Sequence, residues 1–343
     1  MTTVRNAYIG IDACFAKGKR LPISICTWRD GRLVPEPLRR LHLKPPRGHG
    51  NVAVLDQSVV RCFAEEAKDY IVAACEALDV RPTRIAIDAP SAPRPEASAR
   101  RAAERAMDVA GISCFTTPTA SEFEAIRAKA QRHLQAGGPA NRLPHANQLW
   151  MLVGFQLFEA LASVAECIEV FPQAIVRVLG EGGVHKSKTG AVEAQLTAAA
   201  RYTGWPGGAN EEIGFSEIAW APGHDRLDAY LSAWVAALEE GDRVAFGEAP
   251  NDVIWVPRLA EDPQFNIEPM PNTPKVQRRS RKARRRIPSR ERTCPACDFR
   301  FKQWPSGWDA HAAHRCPGLE SEGVEDRKAE YKRRFGDLLN SNS

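Results

Sequence analysis

YIGIDAC at residues 8–14 and RIAID at residues 84–88 decide the fold class. Each is a short apolar run reaching an aspartate, Asp12 in the first and Asp88 in the second, and each is too short for an ordinary helix. Ala7 to Ala13 and Arg84 to Asp88 therefore read as buried strands of an α/β sheet, whose carboxyl edge is where ligands bind. Between them Leu21 to Trp28 reads as a second strand, Asp30-Gly31 as a turn and Leu33-Val34 as the centre of a third. Val59, Phe63, Ala67, Ile71 and Ala74 recur at helical spacing from about Gln57 to Leu78. The predicted order is strand, strand, strand, helix, strand.

Working outward, the breakers Pro90, Pro93 and Pro95 precede a predicted helix over Ala97 to Val109 and a short strand at Ile112 to Phe115. Helices are expected at Glu122 to Leu134, Gln148 to Ala165, Val192 to Tyr202 and Asp225 to Glu240, with a strand at Cys167 to Val170 closed by Phe171-Pro172. The Gly137-Gly138-Pro139 break in the long stretch from Ser121 to Asn147 predicts a loop over the cleft. From about Gly247 the text turns Pro-rich and aperiodic. The expected organisation is an α/β domain over 1–246, a Pro-rich then basic arm over 247–292, a small finger over 293–318 and a charged tail with a short surface helix over 319–343.

The charge is unevenly placed. Of a formal +5, residues 275 to 292 (KVQRRSRKARRRIPSRER) carry ten Lys or Arg and one Glu, a net +9 that leaves −4 on the other 325 residues. A run of that density repels itself, buries no core and attracts polyanions through counterion release. Arg278, Arg279, Arg281, Lys282, Arg284, Arg285 and Arg286 are its candidate nucleic-acid contacts, against the blander reading of a solvated linker. At 43% hydrophobic and 26% charged, the chain is neither disordered throughout nor fibrous. The greasiest stretch, Trp150 to Ala165, is broken by Gln156 and Glu159, so no membrane span is expected. Six scattered cysteines among apolar neighbours and an N-terminus without a signal-type apolar run point to a reducing, cytoplasmic setting.

Asp225 and Asp228 lie one helical turn apart, with Asp228 beside the stripe of Leu227, Leu231, Trp234, Val235 and Leu238 and Asp225 further round. Two strand-end carboxylates facing an Asp-x-x-Asp helix form a hard-oxygen set suited to Mg²⁺ or Mn²⁺, and a pair of such ions can activate water and stabilise the leaving oxygen of a phosphodiester. Singly, each acid also has a structural reading: Asp12 in a turn, Asp88 at the exit before Pro90, Asp225 as a helix cap and Asp228 in a first turn.

YIGIDAC, IAIDAPSAP with Arg100, Arg101 and Glu104, then ECIEVFPQA, HKSKTG and DRLDAYLSAWVA resemble the ordered motifs of domain-of-unknown-function family 429, predicted nucleases of RNase H fold. The resemblance spans roughly residues 6 to 242. It implies an α/β, RNase H-like fold with a five-stranded mixed sheet whose first three strands are antiparallel. It also implies metal-binding, catalytic roles for Asp12, Asp88 and Asp228, supported by Asp225, as in RuvC-type resolvases. Glu169 ends a strand too but ranks lower, as part of an EVFP turn. Lys186 and Lys188 match a basic patch of the family that contacts phosphate, or belong to a plain loop. Arg100 and Arg101 with Glu104 either clamp phosphate or form helix ion pairs.

Cys294-x2-Cys297-x13-His311-x4-Cys316 has the ligand spacing of a Zn²⁺ finger with Cys in the last place. Phe301 and Trp308 stand where a ββα finger needs its two apolar residues, and Ser306 can cap the helix carrying His311. His314 is a rival ligand, too close to Cys316 for both to bind one ion. A finger of this kind docks on nucleic acid or on a protein partner. GEGGVHKS at 180–187 lacks the glycine a P-loop needs before its lysine, and Asp12 lacks the glycine-rich turn of sugar-kinase-like ATPases. The expected function is a divalent-metal nuclease for DNA or RNA recruited by arm and finger; the alternative is a catalytically inactive nucleic-acid-binding adaptor.

Overall fold

The computed structural model describes residues 4–181, 190–208, 211, 214–259, 292–294, 296–297, 300–301, 311–312, 316–321 and 323–340. Two units separate, Met1–Ile267 and Glu268–Ser343.

The first unit is built on a five-stranded sheet of order β3-β2-β1-β4-β5. Its strands are β1 (Arg5–Asp12), β2 (Ile23–Arg29), β3 (Arg32–Pro35), β4 (Val80–Asp88) and β5 (Glu166–Glu169). β1, β2 and β3 pair antiparallel, whereas β4 joins β1 and β5 joins β4 in parallel. The predicted opening order therefore stands, and α1 (Gln57–Ala77) makes the crossover from β3 to β4, capped where the Asp56 carboxylate accepts the Ser58 N–H at 2.9 Å.

Alternation along β1 divides the core. Ile9 and Ile11, with Ile85 and Ile87 of β4, face α1 and the later helix α5 (Met151–Leu161), packing on Phe63, Ile71 and Leu157. Tyr8 of β1 and Ala86 of β4 face the other way, toward α8 (Gly223–Ala237) and its Leu227, Leu231 and Trp234. α8 is buried on all sides from Leu227 to Ala237, which its alanines at 229, 233, 236 and 237 permit by letting it lie close to the sheet.

Three other helices precede α5: α2 (Ala102–Val109), α3 (Ala120–Gln135) and α4 (Ala146–Leu149). α6 (Pro172–Val178) and α7 (Ala191–Thr203) follow β5. Three sequence expectations are corrected. Ile112 to Phe115 is not a strand: Ile112 is buried as an anchor, but the segment pairs with no neighbour, and Phe115 is exposed. The stretch read as aperiodic from Gly247 contains β7 (Asp252–Pro257), paired antiparallel with β6 (Arg243–Glu248); the periodicity was hidden because the hairpin is short and turns at Ala249-Pro250-Asn251. Ser121 to Asn147 is no free loop, since Ile126, Ala130 and Leu143 join the α1-side core.

In the second unit β8 (Arg292–Thr293) and β9 (Arg300–Phe301) form a two-stranded ribbon, and α9 (Val324–Asn340) is a helix of 17 residues. Cys294, Ala312, Cys316, Leu319 and Tyr331 make a small core against which Phe335 packs. The charged tail is thus part of this core, because Tyr331 and Phe335 lie four apart on one helical face. Ser306, Trp308 and His314 lie outside the described residues, as do Lys186, Lys188 and the basic residues from Arg278 to Arg286.

Candidate functional site

Asp12 and Asp88 are register partners at the ends of parallel neighbours β1 and β4. Strand spacing sets their backbones about 4.8 Å apart. By alternation both belong with Tyr8, Gly10 and Ala86 on the α8 side of the sheet, not with the isoleucines on the α1 side.

The level of α8 follows from its contacts. The Arg84 guanidinium donates to Ala236 O at 2.8 Å and Leu238 O at 3.0 Å, completing the carbonyls at the helix C-terminus where a cation is favoured. From Ala236 back to Asp228 the helix rises about 12 Å. From Arg84 on to Asp88 the strand advances about 13 Å. Asp228 therefore comes level with Asp88, and it is 4% exposed. Asp225 lies a turn further out, half-buried, with His224 Nε2 at 2.9 Å from its Oδ1.

Cys14 reports on the same neighbourhood. Its thiol is pushed up to about 12, first by burial and then by the Asp12 and Asp225 carboxylates, with Lys19 acting in the opposite sense. The structure thus gathers Asp12, Asp88, Asp225 and Asp228 along one sheet edge. Among the described residues, however, the set of metal-capable atoms that closes tightly is a different one, at the C-terminus. As donors the aspartates fit hard cations such as Mg²⁺ or Mn²⁺, which retain waters and use few carboxylates.

Glu169 is taken out of this set. It pairs in register with Ile87 rather than Asp88, and although it lines one cavity with Asp88 its carboxylate is held by Arg101. Its carboxylate, 7% exposed, receives Arg101 Nη1 at 2.9 Å, Arg101 Nη2 at 2.7 Å and the Ser91 N–H at 3.1 Å. Burial raises its pKa, and Arg101 pulls against that rise. Arg101 Nε also reaches Asp252 at 3.0 Å, and Asp252 accepts the Ala102 N–H at the start of α2. Arg101 is therefore a structural tie between α2, β5 and β7, and Glu104 accepts the Thr117 N–H at 2.6 Å. Arg100 pairs with Asp108 at 3.0 Å, so the phosphate-clamp reading of the two arginines gives way to ion pairs. Nothing in the local text marks Asp252, which the sequence reading missed. A cavity of about 60 Å³ lined by Asp88, Arg101, Glu104 and Glu169 together with Trp150 and Phe171 has room for a few waters.

In the second unit one ligand atom each from Cys294, Cys297, His311 and Cys316 lies within 4.8 Å of all the others. Cys294 Sγ and Cys316 Sγ are 3.8 Å apart, the edge of a tetrahedron with legs of about 2.3 Å, as Zn–S bonds require. Cys297 Sγ is 3.3 Å from His311 Nε2. The Ala296 N–H and the Tyr331 hydroxyl each point at Cys294 Sγ from 3.4 Å, contacts that favour a thiolate. The cluster can hold a zinc ion.

An α/β unit with acids along the carboxyl edge of its sheet and a separate Cys3His cluster is thus the class of molecule defined by fold and sites. Residues 45–252 match the family described as "Protein of unknown function (DUF429)", and the chain belongs to that family. The match includes Asp88, Asp225 and Asp228 and begins beyond Asp12. Neither a curated protein nor a solved structure matches the chain. Among the described residues no helix is long and apolar enough to cross a membrane.

Proposed function

We propose that the unit Met1–Ile267 is a divalent-metal-dependent nuclease of RNase H-like fold that hydrolyses phosphodiester bonds of DNA or RNA. The observation that carries this reading is the placing of Asp12 and Asp88 in register on the side of the sheet where Asp228 comes level with them. The mixed sheet with its first three strands antiparallel supports the fold assignment.

In this reading Asp12, Asp88 and Asp228 hold Mg²⁺ or Mn²⁺, which when bound supplies an activated water and neutralises charge on the leaving oxygen. The carboxylates themselves fix the ions against a rigid edge, because β1 and β4 are held by ladder bonds and α8 by Arg84. Asp225, further out and next to His224, acts on this set through water. The Cys294, Cys297, His311 and Cys316 cluster holds Zn²⁺ as a structural ion. With the basic arm from Arg278 to Arg286, and with Lys186 and Lys188, it recruits nucleic acid or a protein partner. One observation favours the adaptor alternative: Glu169, a third strand-end acid of the sheet, is consumed by Arg101.

The test is cleavage of single-stranded, duplex and branched DNA and of RNA by the full chain at low salt. Activity is expected in Mg²⁺ or Mn²⁺ but not Ca²⁺, whose looser coordination suits in-line attack poorly. Asp12→Asn and Asp88→Asn should abolish it, Asp228→Asn should do nearly as much, and Asp225→Asn should cost less. If nothing is cut, or if Asp12→Asn still cuts, the adaptor replaces the nuclease.

A further inference from the structure

Trp220, just ahead of α8, is ringed by cations brought from separate stretches of chain. The Arg20 and Arg39 guanidinium carbons lie 5.5 and 5.3 Å from its ring centre and the Lys44 ammonium 5.8 Å. Arg47 lies beside Arg20 through a backbone bridge between the two residues. Arg226 lies near Arg39, with its own guanidinium over Phe215 at 5.2 Å.

Among the described residues none of these five cations has an ion-pair partner. Glu217, on the neighbouring segment, is taken by Arg40. What holds the guanidiniums is neutral backbone: Arg20 donates to Pro45 O at 2.6 Å, Arg39 to Ser216 O at 3.1 Å and Arg226 to Ala221 O at 2.6 Å. Burial, then the nearby like charge, lowers the pKa of both Arg20 and Arg226. Trp220 Nε1 and Arg226 Nε are buried donors with no hydrogen-bond partner. Holding like charges together and leaving donors empty costs stability unless an anion completes the group.

The cluster adjoins the acid edge. Arg226 follows Asp225 directly, and the Cys14 thiol that feels Asp12 and Asp225 donates to Arg20 O at 3.9 Å. We infer that the cations around Trp220 bind the phosphodiester backbone of a nucleic acid strand and lead it to the Asp12 edge. Several cations spread over a surface fit successive phosphates of a polymer better than one small anion. This inference rests on the nuclease reading for its destination but not for the binding itself. It adds a nucleic-acid contact inside the first unit, distinct from arm and finger.

The experiment uses the full chain carrying Asp88→Asn in magnesium-free buffer, so that binding is read without cleavage. A short oligonucleotide is added, and acetylation of lysines by an activated acetate ester is followed by peptide mass spectrometry. Lys44 should react several-fold more slowly with the oligonucleotide present. Lys68, paired with Glu65 on α1, should not change. Arg39→Gln, Lys44→Gln and Arg47→Gln together should weaken binding about tenfold and reduce the salt dependence by about two counterions, at 0.7–0.9 per phosphate contact. The triple variant should melt no lower than its parent; should it fail to fold, Lys44→Gln alone carries the comparison.

Unchanged Lys44 reactivity at saturating oligonucleotide overturns the inference, as does an unaltered salt slope in the variant. Protection of Lys44 by phosphatidylserine vesicles or inorganic phosphate but not by the oligonucleotide overturns it too. Protection of Lys44 in this experiment, together with no cleavage of any substrate by the unsubstituted chain in Mg²⁺ or Mn²⁺, would sink the nuclease reading and leave this one standing.

Discussion

Gly10 of β1 lies directly beneath Ala229 of α8: a Cβ on Gly10 would fall 2.0 Å from Ala229 O and 2.3 Å from Ala233 N. Both obstacles are backbone, so no side chain can swing aside. The glycine lets α8 approach closely enough for Asp228 to come level with Asp88. Gly10→Ala should destabilise the chain by about 3 kcal/mol or more, or leave it insoluble. Gly241→Ala, where a Cβ meets nothing within 4 Å, should stay within about 0.5 kcal/mol. Equal melting temperatures for the two variants would refute this packing.

The Arg101–Glu169 pair should matter to stability and not to chemistry. Glu169→Gln leaves a buried guanidinium short of one charge partner, and a loss on the order of 3 kcal/mol is expected in a denaturation curve. Replacing both by Met should recover part of it. A Glu169→Gln protein of unaltered stability that has lost cleavage would instead put Glu169 among the metal carboxylates.

Cys14 should behave as a slow thiol. With its pKa near 12 against an ordinary 9.0, the thiolate is scarce at neutral pH, and alkylation by iodoacetamide should rise about tenfold per pH unit well past pH 9. The Asp12 carboxylate disfavours the thiolate, so Asp12→Asn should speed the reaction at fixed pH. A rate that levels off near pH 9, or that falls in Asp12→Asn, would show that the thiol and the acid edge are not neighbours.

Zinc should be held at one ion per chain, and Cys294→Ser or Cys316→Ser should abolish it in elemental analysis. Among the described residues the hydrophobic core of the second unit has five buried members, a core of the size that folds with its metal. Chelation should therefore also remove the fixed environment of Tyr331, seen as loss of near-ultraviolet dichroism in a fragment spanning residues 268–343. A fragment with unchanged dichroism after chelation would show that the helix α9 holds the unit together alone.

Much of this was legible in short windows of sequence. The apolar runs to Asp12 and Asp88, the helical repeat at 57–77, the Asp225 to Asp228 turn and the Cys/His spacing are local patterns, set by the periods of strand and helix and by the reach of ligands around one ion. The structure moved helix ends by a few residues; the Ala97 start became Ala102, since the chain after Pro95 first makes a turn in which the Ser98 N–H donates to Pro95 O at 3.1 Å.

Sequence alone singled out the candidate residues, because side-chain type and spacing are written in the chain: strand-end acids, a Cys3His set and a +9 arm. Only the tertiary structure decided which of them meet. Folding brought Glu169 to the cavity that Asp88 lines and gave its carboxylate to Arg101, 68 residues away. The chain's return past β1 set Arg20, Arg39 and Lys44 around Trp220, far along in sequence. No window of local periodicity contains both partners of such contacts; they exist only once burial of the two faces of the sheet has fixed strand order and helix level.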